Sequence, residues 1–189
     1  KAKFDCDAIT YQNIPVGDFS MLAEADNKRV VIETLKIQRG EDRANGRGTI
    51  NWMDKSFKNI HVELDVKDLD PYVKDIIPLF WSRSEKLPSI QGALKGTINL
   101  SGAFTKPEGN LNLQTRQIRL DGEPFGDSDF DLRFSEKELT VSSAEFRHLN
   151  DRLHIRGSMY HQTKQLSDVN LIVKISDLSV YATLWHQAD

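Results

Sequence analysis

The sequence predicts a mainly β protein, an antiparallel meander of short strands, on three observations. Apolar residues recur with period two over most of the chain, the residues between them are largely charged, and turn signals separate the runs at short intervals. The runs read Phe19, Met21 and Ala23; Val30 and Ile32; Ile60, Val62, Leu64 and Val66; then Ile98 and Leu100. Further on come Leu111 and Leu113; Phe130, Leu132 and Phe134; Leu139 and Val141; Leu153 and Ile155; and Val169, Leu171, Val173 and Ile175. Glu63, Asp65 and Lys67, like Asp129, Asp131 and Arg133, fill the alternate positions, so each strand has one wet and one apolar face. Asp26-Asn27, Asn45-Gly46, Asp121-Gly122 and Asn150-Asp151 read as hairpin turns. One stretch breaks the rhythm: Asp70 at a cap position, Pro71 at the first helical position and apolar residues three and four apart through Ile77 predict a short helix. Pro78 ends or kinks it, and Leu79-Phe80-Trp81 supplies a bulky cluster able to plug or cover an open sheet edge.

Composition narrows the function classes. At 189 residues, 39% hydrophobic and 28% charged, the chain is too apolar for a disordered tail. Its 25 basic and 28 acidic residues leave a net charge of −3 and no basic field to attract nucleic acid. No long uncharged apolar run spans a membrane. The single Cys6 excludes an internal disulfide framework and a cysteine-built metal site. A start at Lys1-Ala2-Lys3, without the pattern of a signal peptide, predicts a piece of a longer protein.

A single offset aligns two parts of the chain without a gap. Pro15 and Gly17-Asp18 match Pro124 and Gly126-Asp127, with 124 − 15 = 109. At that offset Ile9 meets Ile118, Lys28 meets Lys137, Asp42-Arg43 meets Asp151-Arg152, and Arg47-Gly48 meets Arg156-Gly157. Lys55 meets Lys164, Asp68-Leu69 meets Asp177-Leu178 and Tyr72 meets Tyr181. The apolar phase is kept between these identities, for example at Phe4 and Leu113 or Val62 and Leu171. The expected organisation is one unit plus most of another: strands over 1–73, helix and linker over 70–91, and a second unit over 92–189, cut where its own helix would begin near Asp177 to Trp185.

Residue types able to carry chemistry are present without the spacing that chemistry needs. Asp127, Asp129 and Asp131 alternate with Phe130 and Leu132 and lack the glycine and terminal glutamate of a calcium loop, so they read as a solvated strand face. His148, His154 and His161 fit no zinc pattern and read as surface histidines. Gly92 and Gly96 lack the Gly-Lys-Ser/Thr ending of a phosphate loop and read as turn and strand glycines. No Gly-x-Ser-x-Gly elbow is present, so the chain is not expected to be an enzyme, and no cofactor or metal is expected. Arg39, Arg43 and Arg47 read as a solvated, turn-rich loop, with contact to lipid phosphate as the functional alternative. Trp52, Trp81 and Trp185 fit either ordinary burial or groove and interface positions.

The run Gly92-Ala93-Leu94-Lys95-Gly96 through Gly102 and Pro107 to Leu113 resembles the linker of the AsmA-like/TamB family, where a helix precedes a glycine-punctuated strand, a Gly–x–x–x–x–Pro turn and the next strand. Ile118 to Gly122, the strand at Asp129 to Leu132 and the strand at Leu153 to Gly157 resemble it too, over essentially the whole chain. The resemblance implies a strongly curved antiparallel sheet, open along one side (a β-groove or taco), with one short helix per repeat and an apolar concave face. It implies the periplasmic part of a cell-envelope protein, anchored in the inner membrane by a segment outside this chain, that carries phospholipid towards the outer membrane. An outer-membrane barrel protein would be met by regions outside this chain, and neighbouring repeats would adjoin its ends. The groove lining would be the apolar residues of the runs above, from Phe19 and Met21 to Val173 and Ile175, without Ala23, Ile60 and Val169. Acyl chains suit such a lining because each buried CH₂ gains roughly 0.8 kcal/mol without fixed direction. The competing expectation is a periplasmic chaperone or scaffold for assembly or translocation of outer-membrane or autotransporter proteins, received on the same face or by strand addition at an open edge. A carbohydrate-active β-solenoid is disfavoured, because its coils repeat every ~20–30 residues.

Overall fold

A computed structural model describes residues 1–11, 14–76 and 89–176. Within them eleven strands form one antiparallel sheet in strict chain order. They are β1 (Ala2–Tyr11), β2 (Ile14–Ala25), β3 (Arg29–Arg39), β4 (Asp42–Asn51), β5 (Ser56–Val66), β6 (Ile90–Ala103), β7 (Lys106–Leu120), β8 (Glu123–Phe134), β9 (Glu138–His148), β10 (Asp151–Tyr160) and β11 (Leu166–Lys174). β1 and β11 are the two ends and do not pair with each other, so the sheet is open, as well as mainly β and antiparallel. Tertiary contacts are concentrated between hydrogen-bonded neighbours, so no second layer covers either face among the described residues. Only Ala23, Val73, Ile118 and Ala144 are buried apolar residues there, and no large side chain is fully enclosed.

All ten strand pairs contain a register shift. Each bulge adds a residue to one strand and increases local bend and twist. The shifts recur at the offset of the sequence identities. Positive φ falls on Ala8 and Gln117 (117 − 8 = 109), on Gly17 and Gly126, on Gly48 and Gly157, on Lys55 and Lys164, and on Asn59 and Asp168. Asp18 Oδ1 accepts the Ala8 N–H at 2.9 Å, and Asp127 Oδ1 accepts the Gln117 N–H at 2.8 Å. Likewise Asp42 Oδ1 accepts the Lys67 N–H and Asp151 Oδ1 the Ser176 N–H, both at 2.6 Å. β1 to β5 therefore correspond to β7 to β11, and β6 lies between the copies. A period of six strands is even, which brings each strand of the second copy into the sheet with the direction of its counterpart.

Two local expectations are corrected. In place of one short helix per repeat, the described residues contain a single five-residue π-helical turn, Tyr72–Ile76, after Asp70 and Pro71. So short a segment cannot offset the cost of helix nucleation by its own hydrogen bonds. It is held from outside: the Tyr72 hydroxyl donates to Asp42 Oδ2 at 2.8 Å, Lys74 Nζ meets Asp70 at 2.5 Å, and Arg39 lies 5.3 Å from the Tyr72 ring centroid. The expected cluster at Pro78 to Trp81 and the second helix near Asp177 to Trp185 lie outside the described residues. The Asn45-Gly46 turn is also corrected, since both residues are inside β4 and the chain reverses at Gly40-Glu41 instead. Gly46 is in register with Leu35 and Val62, and neighbouring strands supply the context that a dipeptide signal lacks.

Candidate functional site

Directly paired residues in antiparallel strands share a face, so the registers define which side chains line up across the sheet. One row crosses all eleven strands through Cys6, Phe19, Ile37, Ala44, Leu64, Gly96, Leu113, Phe130, Ala144, Ile155 and Leu171. A second runs through Phe4, Met21, Leu35, Gly46, Val62, Ile98, Leu111, Leu132, Val141 and Gly157. A third links Leu100, Gly109, Phe134, Leu139, Met159 and Leu166. No charged residue interrupts these rows. Phe130 and Phe146 meet edge to face at 5.3 Å on the same side, with Phe125 beyond at 6.2 Å.

The expected lining residues within the strands fall on this face. Val30 stands opposite Ile50 and Ala25, Ile32 opposite Ala23, and Val66 opposite Leu94, while Leu153 links Phe146 to Val173. Ile175 lies beyond β11, where no pairing fixes its face. Strict alternation overlooks Leu35, Ile37, Phe57, Ile118, Phe146 and Leu166. Bulges account for most of these: Ile32 and Leu35 are three residues apart, as are Phe57 and Ile60, yet each pair shares a face. Paired glycines or asparagine-type residues with positive φ near such steps are the available sequence signal.

The opposite face is polar. Asp129 lies between Arg116, at 2.9 Å, and Arg147, which also meets Glu145 at 3.0 Å. Burial opposes its charged form, but the two guanidinium groups outweigh that and hold its pKa below the usual carboxylate value. His61 Nδ1 is 2.7 Å from Asn99 Oδ1 and its Nε2 is 3.2 Å from Glu63; these bonds, Asn99 first, raise its pKa. Asp127 anchors the β7 bulge, so the three alternating aspartates serve a strand face and its bulge.

Other candidates are dispersed. His148 ends β9, His154 is in β10 and His161 is in the following turn. Among the described residues no group of three His, Cys, Asp or Glu has metal-holding geometry. Arg39 ends β3 while Arg43 and Arg47 belong to β4, which corrects the loop expected for them: Asp42 to Asn51 is a paired strand. Gly92 and Gly96 lie within β6, and a Cβ on Gly96 would fall 2.2 Å from the Asn112 carbonyl oxygen. Trp52 is half-exposed in the turn after β4, beside exposed Met53, and Trp81 and Trp185 lie outside the described residues. Two open depressions, about 540 and 370 Å³, are lined by mixed polar and apolar strand residues, the first including Arg47, His61, Asn99 and Glu108.

No protein-family model, curated protein or solved structure matches the chain.

Proposed function

We propose that this chain is a segment of a periplasmic bridge, anchored in the inner membrane by a part of the protein outside this sequence, whose apolar sheet face carries phospholipid between the inner and outer membranes. The observation that carries this reading is the continuity of the apolar rows across the sheet, with nothing packed over them among the described residues. Such a face must be covered in water, and acyl chains cover it without fixed direction at roughly 0.8 kcal/mol per CH₂. In this reading bulges curl the sheet into a groove, and headgroups travel in water along the open side. Sliding requires that no site bind much more tightly than the next, and the rows offer a run of aliphatic side chains interspersed with phenylalanine, alanine and glycine.

The test places a photocrosslinking residue at Leu132 and at Val141, on adjacent central strands, in the full-length protein in cells. Mass spectrometry of the adducts should return phospholipid. Exclusively protein adducts at both positions would overturn the lipid reading in favour of a chaperone or scaffold.

A further inference from the structure

The two ends of the sheet differ in chemistry. β1 carries Lys3 and Asp5 on its wet face, paired with each other at 2.8 Å, and Asp5 also accepts from Ser20. Such charges discourage pairing at an edge. β11 carries exposed apolar side chains on both faces: Leu171 is 60% exposed on the apolar side, and Ile172, between Asn170 and Lys174 on the wet side, is 58% exposed where its counterpart in the first copy is Glu63 (172 − 63 = 109). Nothing pairs with its outer edge among the described residues.

The internal correspondence identifies what fits there. β11 is the counterpart of β5, and the same edge of β5 is covered by β6, with Val62 opposite Ile98, Leu64 opposite Gly96 and Asp65 opposite Lys95. Transferred by 109 residues, these acceptor positions become Leu171, Val173 and Lys174. The apolar positions are conserved in character and the charge is inverted. In the first copy Asp65 receives Lys67 at 2.8 Å and Lys95 at 3.3 Å. In the second, Lys174 stands opposite Arg152, and no carboxylate is within ion-pair distance of either among the described residues.

We propose that the edge of β11 is an acceptor for an added antiparallel strand of the β6 type, distinguished from β6 by a carboxylate at the position of Lys95. Main-chain bonds supply its affinity and the alternate side chains its register. The carboxylate would sit opposite Lys174 and within the field of Arg152, while an apolar residue beside it would cover Ile172. This assignment stands apart from the lipid reading, because it concerns the edge of the sheet and not its face.

The experiment uses the 189-residue chain and two fluorescent peptides spanning residues 90–103, one unaltered and one with Lys95→Glu. Replacing a like charge by an opposite one across the pair should tighten binding roughly three- to tenfold. The tighter peptide should protect the amides of Val169 to Lys174 from hydrogen exchange, and Lys174→Glu in the protein should reverse the preference. Absence of binding by both peptides, equal binding, or protection at β1 instead would overturn the proposal. So would a concentration-dependent dimer that protects β11 without peptide, since the occupant would then be a second copy.

Discussion

Asp129 sits between two guanidinium groups on a face otherwise open to water, and its role is electrostatic. Its side chain and those of Arg116 and Arg147 are 28%, 41% and 32% exposed, so screening limits the pairs. Asp129→Ala should destabilise the sheet by about 1 kcal/mol in urea unfolding. Because its folded pKa is lowered, that contribution is present above the unfolded value of about 4 and is lost as pH falls through the folded value. The difference between wild type and Asp129→Ala should therefore vanish in strong acid, and a constant difference down to pH about 2 would contradict this role. His61 has the opposite sign. Its raised pKa, set first by Asn99 and then by Glu63, gives stability that is present below about 6.5 and lost as pH rises through the folded value. Asn99→Ala should lower the His61 titration midpoint in NMR, and an unchanged midpoint would remove Asn99 as its cause.

At the scale of the element, close strand approach and bulge geometry decide which substitutions are tolerated. Gly126 has φ of 102°, and an added Cβ would fall 2.1 Å from the Arg147 carbonyl oxygen of the adjacent strand. Gly122 has φ of 88° in a turn with nothing within 4 Å of the same atom. Gly126→Ala should thus cost more than about 3 kcal/mol, adding backbone clash to strain, whereas Gly122→Ala should cost only about 1 kcal/mol. Comparable losses in the two variants, measured by denaturant unfolding, would show that the β8 to β9 approach is not rigid. The same bulges limited what alternation could reveal. Val62 to Val66 and Phe130 to Phe134 keep strict period two and were legible as lining residues, whereas Leu35 and Ile37 change phase after the bulge at Glu33 and Thr34. Tyr72 to Ile76 was legible as helical, but not its bond to Asp42, thirty residues earlier in the chain, which the Tyr72 hydroxyl donates.

At the largest scale, the apolar face that nothing covers among the described residues is the property to test. Val141→Arg puts a charge in the middle of a row between Leu132 and Gly157 without touching the wet-face ion pairs. In the lipid reading it should weaken phospholipid binding about tenfold, equivalent to losing contact with about two methylenes, while far-UV circular dichroism stays that of a β protein. Undiminished lipid binding would argue against this face as the conduit. Amino-acid order alone determined the strand class, the antiparallel pairing of neighbours and the 109-residue offset, because period-two burial and turn chemistry act over a few residues. Only the tertiary structure decided how the rows align. The row through Phe19 in the first copy reaches Phe130 in the second, although the counterpart of Phe19 by offset is Ser128 (128 − 19 = 109), a displacement of two residues from one copy to the next. That stagger is set by bulges and by the registers on both sides of β6, and a register is a relation between strands that no single strand encodes.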